Sequence, residues 1–218
     1  MKKIILLLLI LPIISINAQR IGEMAPEQPP EKFPANQFGA DLMFSDGGFG
    51  LGTFYGRSIN EYLTAFVDFS ISETKDDREI EYIDYWGMPI SINKKNRSLL
   101  APLNFGLKQR IFSSTVTENL RPYISLAIGP SMVVTSPYVK NGERIEFFNS
   151  LKYAKAHFTV GGYIGFGADF GISKKSLAGL SVKYYTARFF NKGIENLTGK
   201  FRKTVGGIFL TIKIGMMY

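Results

Sequence analysis

The chain alternates apolar and polar side chains over most of its length, which is the period-two pattern of β-strands with two unlike faces. In one such segment Val67, Phe69 and Ile71 alternate with Asp68 and Ser70. Turn-forming residues such as Gly, Pro, Asn and Ser separate the segments, so eight strands are predicted. Their predicted ranges are 38–44, 50–56, 63–72, 99–110, 120–134, 157–172, 179–185 and 207–218.

The two faces of these segments differ sharply in composition. One face is almost purely apolar, and the other is rich in glycine and small polar residues. A soluble barrel such as a lipocalin would turn its apolar face inward and its charges outward. A narrow lumen lined by small residues, with aromatic residues at the strand ends, instead favours a barrel whose apolar face meets lipid. The pattern therefore predicts an all-β fold, an eight-stranded antiparallel up-and-down transmembrane β-barrel.

The lengths of the connections give a second test. Connections on one side are short, at 57–61, 113–119 and 173–176. Those on the other side are longer, at 74–97, 135–155 and 191–202, except for 45–47. This asymmetry predicts periplasmic turns and surface loops.

The longest connection, 74–97, leaves two strand counts open. Its apolar stretches can form a hairpin above the membrane or two further barrel strands. The acidic residues of this loop would be costly in lipid, which favours the hairpin and the count of eight. These residues are Asp76, Asp77, Glu79 and Glu81.

The N-terminus has the layout of a cleavable secretory signal. Lys2 and Lys3 precede the apolar run Ile4–Ile14, and small residues follow up to Ala18. The run is too short for a transmembrane helix, which needs about 20 residues. We therefore expect a signal peptide at 1–18, a proline-rich periplasmic spacer at 19–35 and the barrel at 36–218.

Composition narrows the classes of partner. Without the two lysines of the signal, the chain has 24 Lys and Arg against 18 Asp and Glu, a net charge of +6. In an exported protein this excess favours anionic surface partners such as lipid phosphates, and we expect no nucleic acid. The sequence has one histidine and no cysteine, and it carries no phosphate loop or dinucleotide fingerprint. Neither a metal nor a cofactor is predicted.

Three stretches carry a resemblance to a known family: Leu100–Lys108, Pro122–Ser131 and the last strand, which ends in Tyr218. Through them, residues 37–218 resemble the outer-membrane β-barrel domain family, the small barrels akin to OmpX and OmpA. The resemblance implies the outer membrane of a Gram-negative-type bacterium, reached after signal cleavage. It also implies a last strand that the barrel-assembly machinery reads. The matching residues are Leu210, Ile212, Ile214, Met216 and Tyr218.

Charged residues on the inward faces are predicted to share one level of the lumen. They are Asp41, Asp68, Lys108, Arg110, Asp169, Lys183 and Lys213. Strand order predicts that Asp41 lies near Lys213. It also predicts Asp68 near Lys108 or Arg110, and Asp169 diagonally near Lys183. Such a network would plug the lumen, whereas the alternative is separate solvation of each charge by lumen water.

Basic residues in the surface loops are candidates for contacts with lipopolysaccharide phosphates or another anionic partner. They are Lys140, Arg144, Lys152, Lys155, Lys192, Lys200, Arg202 and Lys203. The alternative is a solvated loop surface, since Glu143, Glu146 and Glu195 are interleaved with them.

One catalytic alternative deserves comparison. Lipid A deacylases of the outer membrane are eight-stranded barrels with a His-x-Ser motif and a nearby acid. Here His157 and Thr159 share a face with Asp169, but Thr stands in place of Ser and the alternation turns this face inward. The sequence therefore favours a non-enzymatic barrel with a filled lumen, which gives structural support or displays binding loops. The alternatives are a narrow conduit for small or hydrophobic solutes and, less favoured, the deacylase.

Overall fold

The computed structural model describes residues 34–75, 79–87, 89–92, 94, 96–112, 120–140, 143–170, 175–197 and 200–218. The predicted signal, 1–18, lies outside the described residues, and so does the predicted spacer apart from Pro34 and Ala35. The predicted turn 113–119 and residues 171–174 also lie outside them. None of the helices within the described ranges combines the length and the apolar character needed to cross a membrane.

Eight antiparallel strands close into a barrel, so the predicted fold class and strand count are confirmed. Each strand pairs with its sequence neighbours, and the first strand closes the barrel by pairing with the last. The strands are β1 (Asn36–Ser45), β2 (Gly48–Ser58), β3 (Leu63–Thr74), β4 (Asn96–Arg110), β5 (Leu120–Pro137), β6 (Lys155–Phe170), β7 (Ser176–Arg188) and β8 (Thr204–Met217).

The barrel exposes its apolar face and buries its polar one. On β8, Ile208, Leu210 and Ile214 are exposed, whereas Thr211 and Lys213 are buried. The same alternation continues around the barrel, and the exposed positions form an apolar belt. A soluble barrel would show the reverse, because exposing a large apolar surface to water is unfavourable. The outer surface is therefore that of a membrane-spanning barrel, as the alternation in the sequence predicted.

The connections confirm the predicted asymmetry between the two ends. Three of the outer connections contain two-stranded sheets of their own. The longest of them holds the hairpin of Ile80–Ile83 with Pro89–Ile92, separate from the barrel sheet, so it adds no barrel strand. The other small sheets pair Val139–Lys140 with Glu143–Arg144 and Ile194–Leu197 with Lys200–Arg202. A short helix, α1 (Phe147–Ser150), and a turn of 3₁₀-helix (Leu151–Tyr153) precede β6.

The strands on the long-loop side extend further than the sequence predicted. β5 continues to Pro137, three residues beyond its predicted end, and β4 begins at Asn96 instead of Leu99. Asn96 pairs with Pro137 in this extension. The outward apolar pattern that marks a strand in lipid stops before these residues, because above the membrane a strand can carry polar side chains on both faces.

Candidate functional site

The lumen is filled by side chains in two successive layers. Toward the long-loop end lies an apolar cluster that includes Leu100, Val133, Ala187, Phe189 and Val205, all at most 2 % exposed. Phe189 and Ile194 belong to the last outer connection, so this connection closes the lumen from above. The Asn96 side chain donates a hydrogen bond of 2.7 Å to the Glu195 carbonyl and ties the same connection to β4.

A charged layer lies on the short-turn side of this apolar cluster. The order along the strands places it there, since Lys183 precedes Tyr185 on the ascending β7 and Lys213 follows Phe209 on the descending β8. Six of its side chains are buried, three carboxylates and three ammonium groups. They are Asp41, Asp68, Asp169, Lys108, Lys183 and Lys213.

Two ion pairs span this layer. Lys108 Nζ donates to Asp169 Oδ2 at 2.9 Å and to Gln37 Oε1 at 3.2 Å. Lys183 Nζ donates to Asp41 Oδ2 at 3.1 Å. Each pair joins strands that are separated by one other strand, β4 with β6 and β7 with β1. A narrow barrel permits this because a lysine side chain is long enough to cross from one wall toward another.

The other two charged groups of the layer have polar and aromatic neighbours. Asp68 accepts hydrogen bonds from Asn104 Nδ2 at 2.7 Å and from the Tyr163 hydroxyl at 2.5 Å. Lys213 Nζ lies 3.4 Å from the Tyr123 hydroxyl and 4.8 Å from the centre of the Phe54 ring. Hydroxyl, amide and ring contacts thus supplement the ion pairs, which is how charges become tolerable in a dry interior.

The sequence-predicted partners are only partly correct. Asp41 and Lys213 do face each other across β1 and β8, as predicted, although the ion pair of Asp41 is with Lys183. The expected contact of Asp68 with Lys108 or Arg110 is wrong. The register sets Asp68 opposite Asn104, four residues and about 13 Å along the strand from Lys108.

The expected contact of Asp169 with Lys183 is wrong, because Asp169 pairs with Lys108 and Lys183 pairs with Asp41. Asp169 lies opposite Gly179 on β7 and opposite Arg121 on β5. Lys183 lies four residues, or about 13 Å, beyond Gly179. The sequence placed the charges on the correct face, but the pairing depends on the register around the barrel.

The space left inside the layer is small. One gap of about 20 Å³ is lined by Asp41, Asp68, Lys108, Lys183 and Lys213 among others, and a second of about 20 Å³ lies next to Tyr185 and Phe209. Each is of the order of a single water site, about 10–15 Å³ at minimum. At the short-turn end a cavity of about 70 Å³ is lined by Arg110, Arg121 and Asp169 among others. Arg110, the remaining predicted lumen charge, is half-buried there.

His157 is not arranged as a catalytic base. Its Nε2 lies 3.3 Å from the Thr135 hydroxyl, and its ring stands edge to face against Phe189. The Thr159 hydroxyl donates to the Arg188 carbonyl at 2.5 Å. Asp169 is twelve residues further along β6, roughly 40 Å at the rise of a strand. These positions do not bring a nucleophile, base and acid together.

The basic loop residues are distributed over two outer connections. Lys152 and Lys155 are exposed near the start of β6, while Lys192, Lys200 and Lys203 are exposed before β8. Arg202 is half-buried, and its guanidinium donates to the carbonyls of Thr204 and Lys75 at 2.5 and 2.7 Å. Lys140 and Arg144 lie in a hairpin whose side chains are outside the description.

The residues of the predicted assembly signal lie on the outward side of the last strand. Leu210, Ile214, Met216 and Tyr218 are exposed and Ile212 is half-buried. Tyr218 exchanges two backbone hydrogen bonds with Asn36, of 2.9 and 3.0 Å, at the closing seam of the barrel.

The large apolar residues inside the barrel are what sequence reasoning largely missed. Phe54, Phe209 and Met43 all fall on the inward side of the alternation and are buried. Their position in the alternation of inward and outward residues was the signal that could have identified them. They were not predicted because the lumen was expected to be lined by small and polar residues.

No protein-family model matches the sequence, and no curated protein matches it. Among solved structures, the N-terminal β-barrel domain of Pseudomonas aeruginosa OprF is 12 % identical, with a TM-score of 0.46 over 84 % of this chain and 97 % of that one. Ail, the attachment invasion locus protein of Yersinia pestis, is 12 % identical, with a TM-score of 0.41 over 84 % and 95 %. Neisserial surface protein A is 13 % identical, with a TM-score of 0.39 over 84 % and 93 %. The closed eight-stranded sheet and its apolar exterior, rather than these likenesses, identify the chain as a membrane-spanning β-barrel.

Proposed function

We propose that this chain is a non-enzymatic, non-conducting barrel of the outer membrane of a Gram-negative-type bacterium. In this role it stiffens the membrane and displays surface loops that bind lipopolysaccharide or an external partner. The filled lumen is the observation that carries the proposal. An apolar cluster and a layer of buried, mostly paired charges lie in series across the path that a solute would take.

The membrane assignment rests on backbone chemistry and surface composition. In lipid every backbone polar group needs an internal partner, and a closed sheet provides this without an edge. The described strands close in that way and carry an apolar exterior. Barrels of this kind belong to outer membranes, and the predicted signal peptide at 1–18 supplies the route there.

A conduit for small solutes is the competing function. An eight-stranded barrel has an interior just wide enough for its own side chains. Here bulky side chains such as Tyr163, Tyr185 and Phe209 occupy that width. Continuous passage of water or ions would require several of them to move together, so the filled barrel is favoured.

Conductance across a planar lipid bilayer tests this proposal. The full mature chain should insert without producing current steps. A Tyr163→Ala/Tyr185→Ala/Phe209→Ala variant provides a control with a wider lumen, and heat-modifiable gel migration shows whether it is folded. Reproducible current steps from the unaltered chain would refute the non-conducting role.

A further inference from the structure

An open groove of about 510 Å³ lies at the long-loop end of β7 and β8. Residues 184–186 of β7 and 204–207 of β8 form its walls, and residues 201–203 of the last hairpin complete its lining. Thr186 and Gly206 are register partners in the middle of these walls. Thr186 has a small side chain and Gly206 has none, so the groove stays open at this point.

The neighbouring strand on the other side explains why β8 is accessible here. β1 pairs with β8 as far as Ser45 and Phe209, and the tight turn at 46–47 then leads into β2. β8 itself continues beyond Phe209 to Thr204 along β7. The Asp46 carboxylate borders this region, since a Cβ on Gly207 would lie 3.2 Å from its Oδ1.

The groove lies at the upper boundary of the apolar belt. Outward positions on β7 change from Leu180, Val182 and Tyr184 to Thr186 and Arg188. On β8 they change at the same level from Ile208 to Gly206 and Thr204. Such a change from apolar to polar, with a tyrosine at the boundary, marks the depth at which lipid headgroups begin.

The lining combines an apolar and a basic part. Tyr184 and Phe201 are both more than half exposed, at 57 % and 51 %. Lys203 is exposed, and the half-buried Arg202 holds the hairpin in place through its bonds to the Thr204 and Lys75 carbonyls. Acyl chains can pack against the aromatic side chains, and a lipid phosphate at the headgroup level is attracted to the lysine ammonium group.

We infer that this groove binds a phosphate-bearing glycolipid of the outer leaflet, of the lipid A class. Its acyl chains would lie against Tyr184 and Phe201, and one phosphate would lie against Lys203. Arg202 acts as a positioning residue. The inference rests on the proposed membrane placement. Of the eight basic loop residues that were candidates for lipopolysaccharide contacts, it assigns Lys203 and Arg202 to one site.

Native mass spectrometry of the folded mature chain tests the inference, with bisphosphoryl lipid A and its dephosphorylated form as probes in neutral detergent. Lys203→Gln should weaken bisphosphoryl lipid A binding about fivefold, the effect of one cation near a lipid phosphate. Thr186→Trp should weaken both forms by filling the groove, and an interfacial tryptophan is compatible with insertion. Arg57→Gln removes an exposed positive charge at the opposite end of the barrel and should leave binding unchanged.

Equal losses for Lys203→Gln and Arg57→Gln would mean diffuse charge attraction and would overturn the site. Unchanged binding by a folded Thr186→Trp variant would overturn it as well, as would an absence of lipid A adducts on the unaltered chain. The non-conducting function is tested separately by conductance. A barrel that is silent in the bilayer but binds no lipid A would retain that function and lose this site.

Discussion

Replacing Lys183 by Met should destabilise the barrel, because it leaves the Asp41 carboxylate without its ion-pair partner in the buried charged layer. Asp41 is 3 % exposed, and its other oxygen, Oδ1, is buried without a hydrogen-bond partner. The lost contact is the 3.1 Å bond from Lys183 Nζ to Asp41 Oδ2. Methionine keeps most of the side-chain volume, so the change removes charge rather than packing.

The expected magnitude follows from the burial of both partners. Breaking a dry buried ion pair costs about 3–5 kcal/mol in the free energy of unfolding. Lys213 faces Asp41 from the neighbouring strand and offsets part of this cost, so we expect about 2–3 kcal/mol. Adding Asp41→Asn removes the orphaned charge and should recover about 1–2 kcal/mol, a coupling in the range found for residues in contact.

The assay is urea unfolding of the barrel in lipid vesicles, applied to each single variant and to the double variant. A second cycle with Lys213→Met and Asp41→Asn is the matched comparison, since it tests the neighbour that the register alone would favour. The Lys183 cycle should show the larger coupling. Additive losses in the Lys183 cycle would refute the ion pair across the lumen, and equal couplings in both cycles would refute its preference for Lys183.

Three further predictions concern packing, assembly and topology. Gly129→Ala should lower the unfolding free energy by about 1–3 kcal/mol, because the added Cβ would overlap the Leu103 carbonyl oxygen. Gly207→Ala is the control and should change the unfolding free energy little, since only Asp46 is near. Equal urea midpoints for the two variants would contradict this packing. Deleting Tyr218 removes its backbone hydrogen bonds to Asn36, and Ile214→Lys places a charge on the lipid-facing surface. Either change should lower the amount of the protein in the outer membrane, measured by cell fractionation. Unchanged amounts would contradict the proposed assembly signal. Trypsin added to whole cells should cut within 74–97 or 135–155 and spare Lys174 and Lys175, and cleavage at those two lysines alone would invert the topology.

Strand number and facing could be predicted from the sequence because lipid imposes a simple rule on every outward position. Leu126 and Ile128 alternate with the small residues Ser125 and Ala127 for no reason other than the side they face. That rule ends above the membrane, which is why the extension of β5 to Pro137 was not predicted. The hairpins of the loops follow local turn geometry instead of a global pattern.

The contacts inside the lumen could be predicted only in part. Asp41, Asp68, Lys108 and Lys183 were assigned to the correct face by parity, and all four are buried. Their partners depend on the stagger of all eight strands, and no local pattern encodes it. A shift of two residues keeps every side chain on its face but moves an ion pair by about 7 Å.

Spin-label accessibility along β5 tests the filled membrane-spanning barrel most directly. The chain has no cysteine, so single cysteines at positions 124–128 can each be labelled in the mature barrel in lipid vesicles. Labels at 124, 126 and 128 should be relaxed by oxygen, which concentrates in lipid, and not by a water-soluble nickel chelate. Labels at 125 and 127 should be inaccessible to both reagents, because these positions point into a packed interior. Nickel access at 125 and 127 would show a water-filled lumen, and nickel access at 124, 126 and 128 would show that the apolar face does not meet lipid.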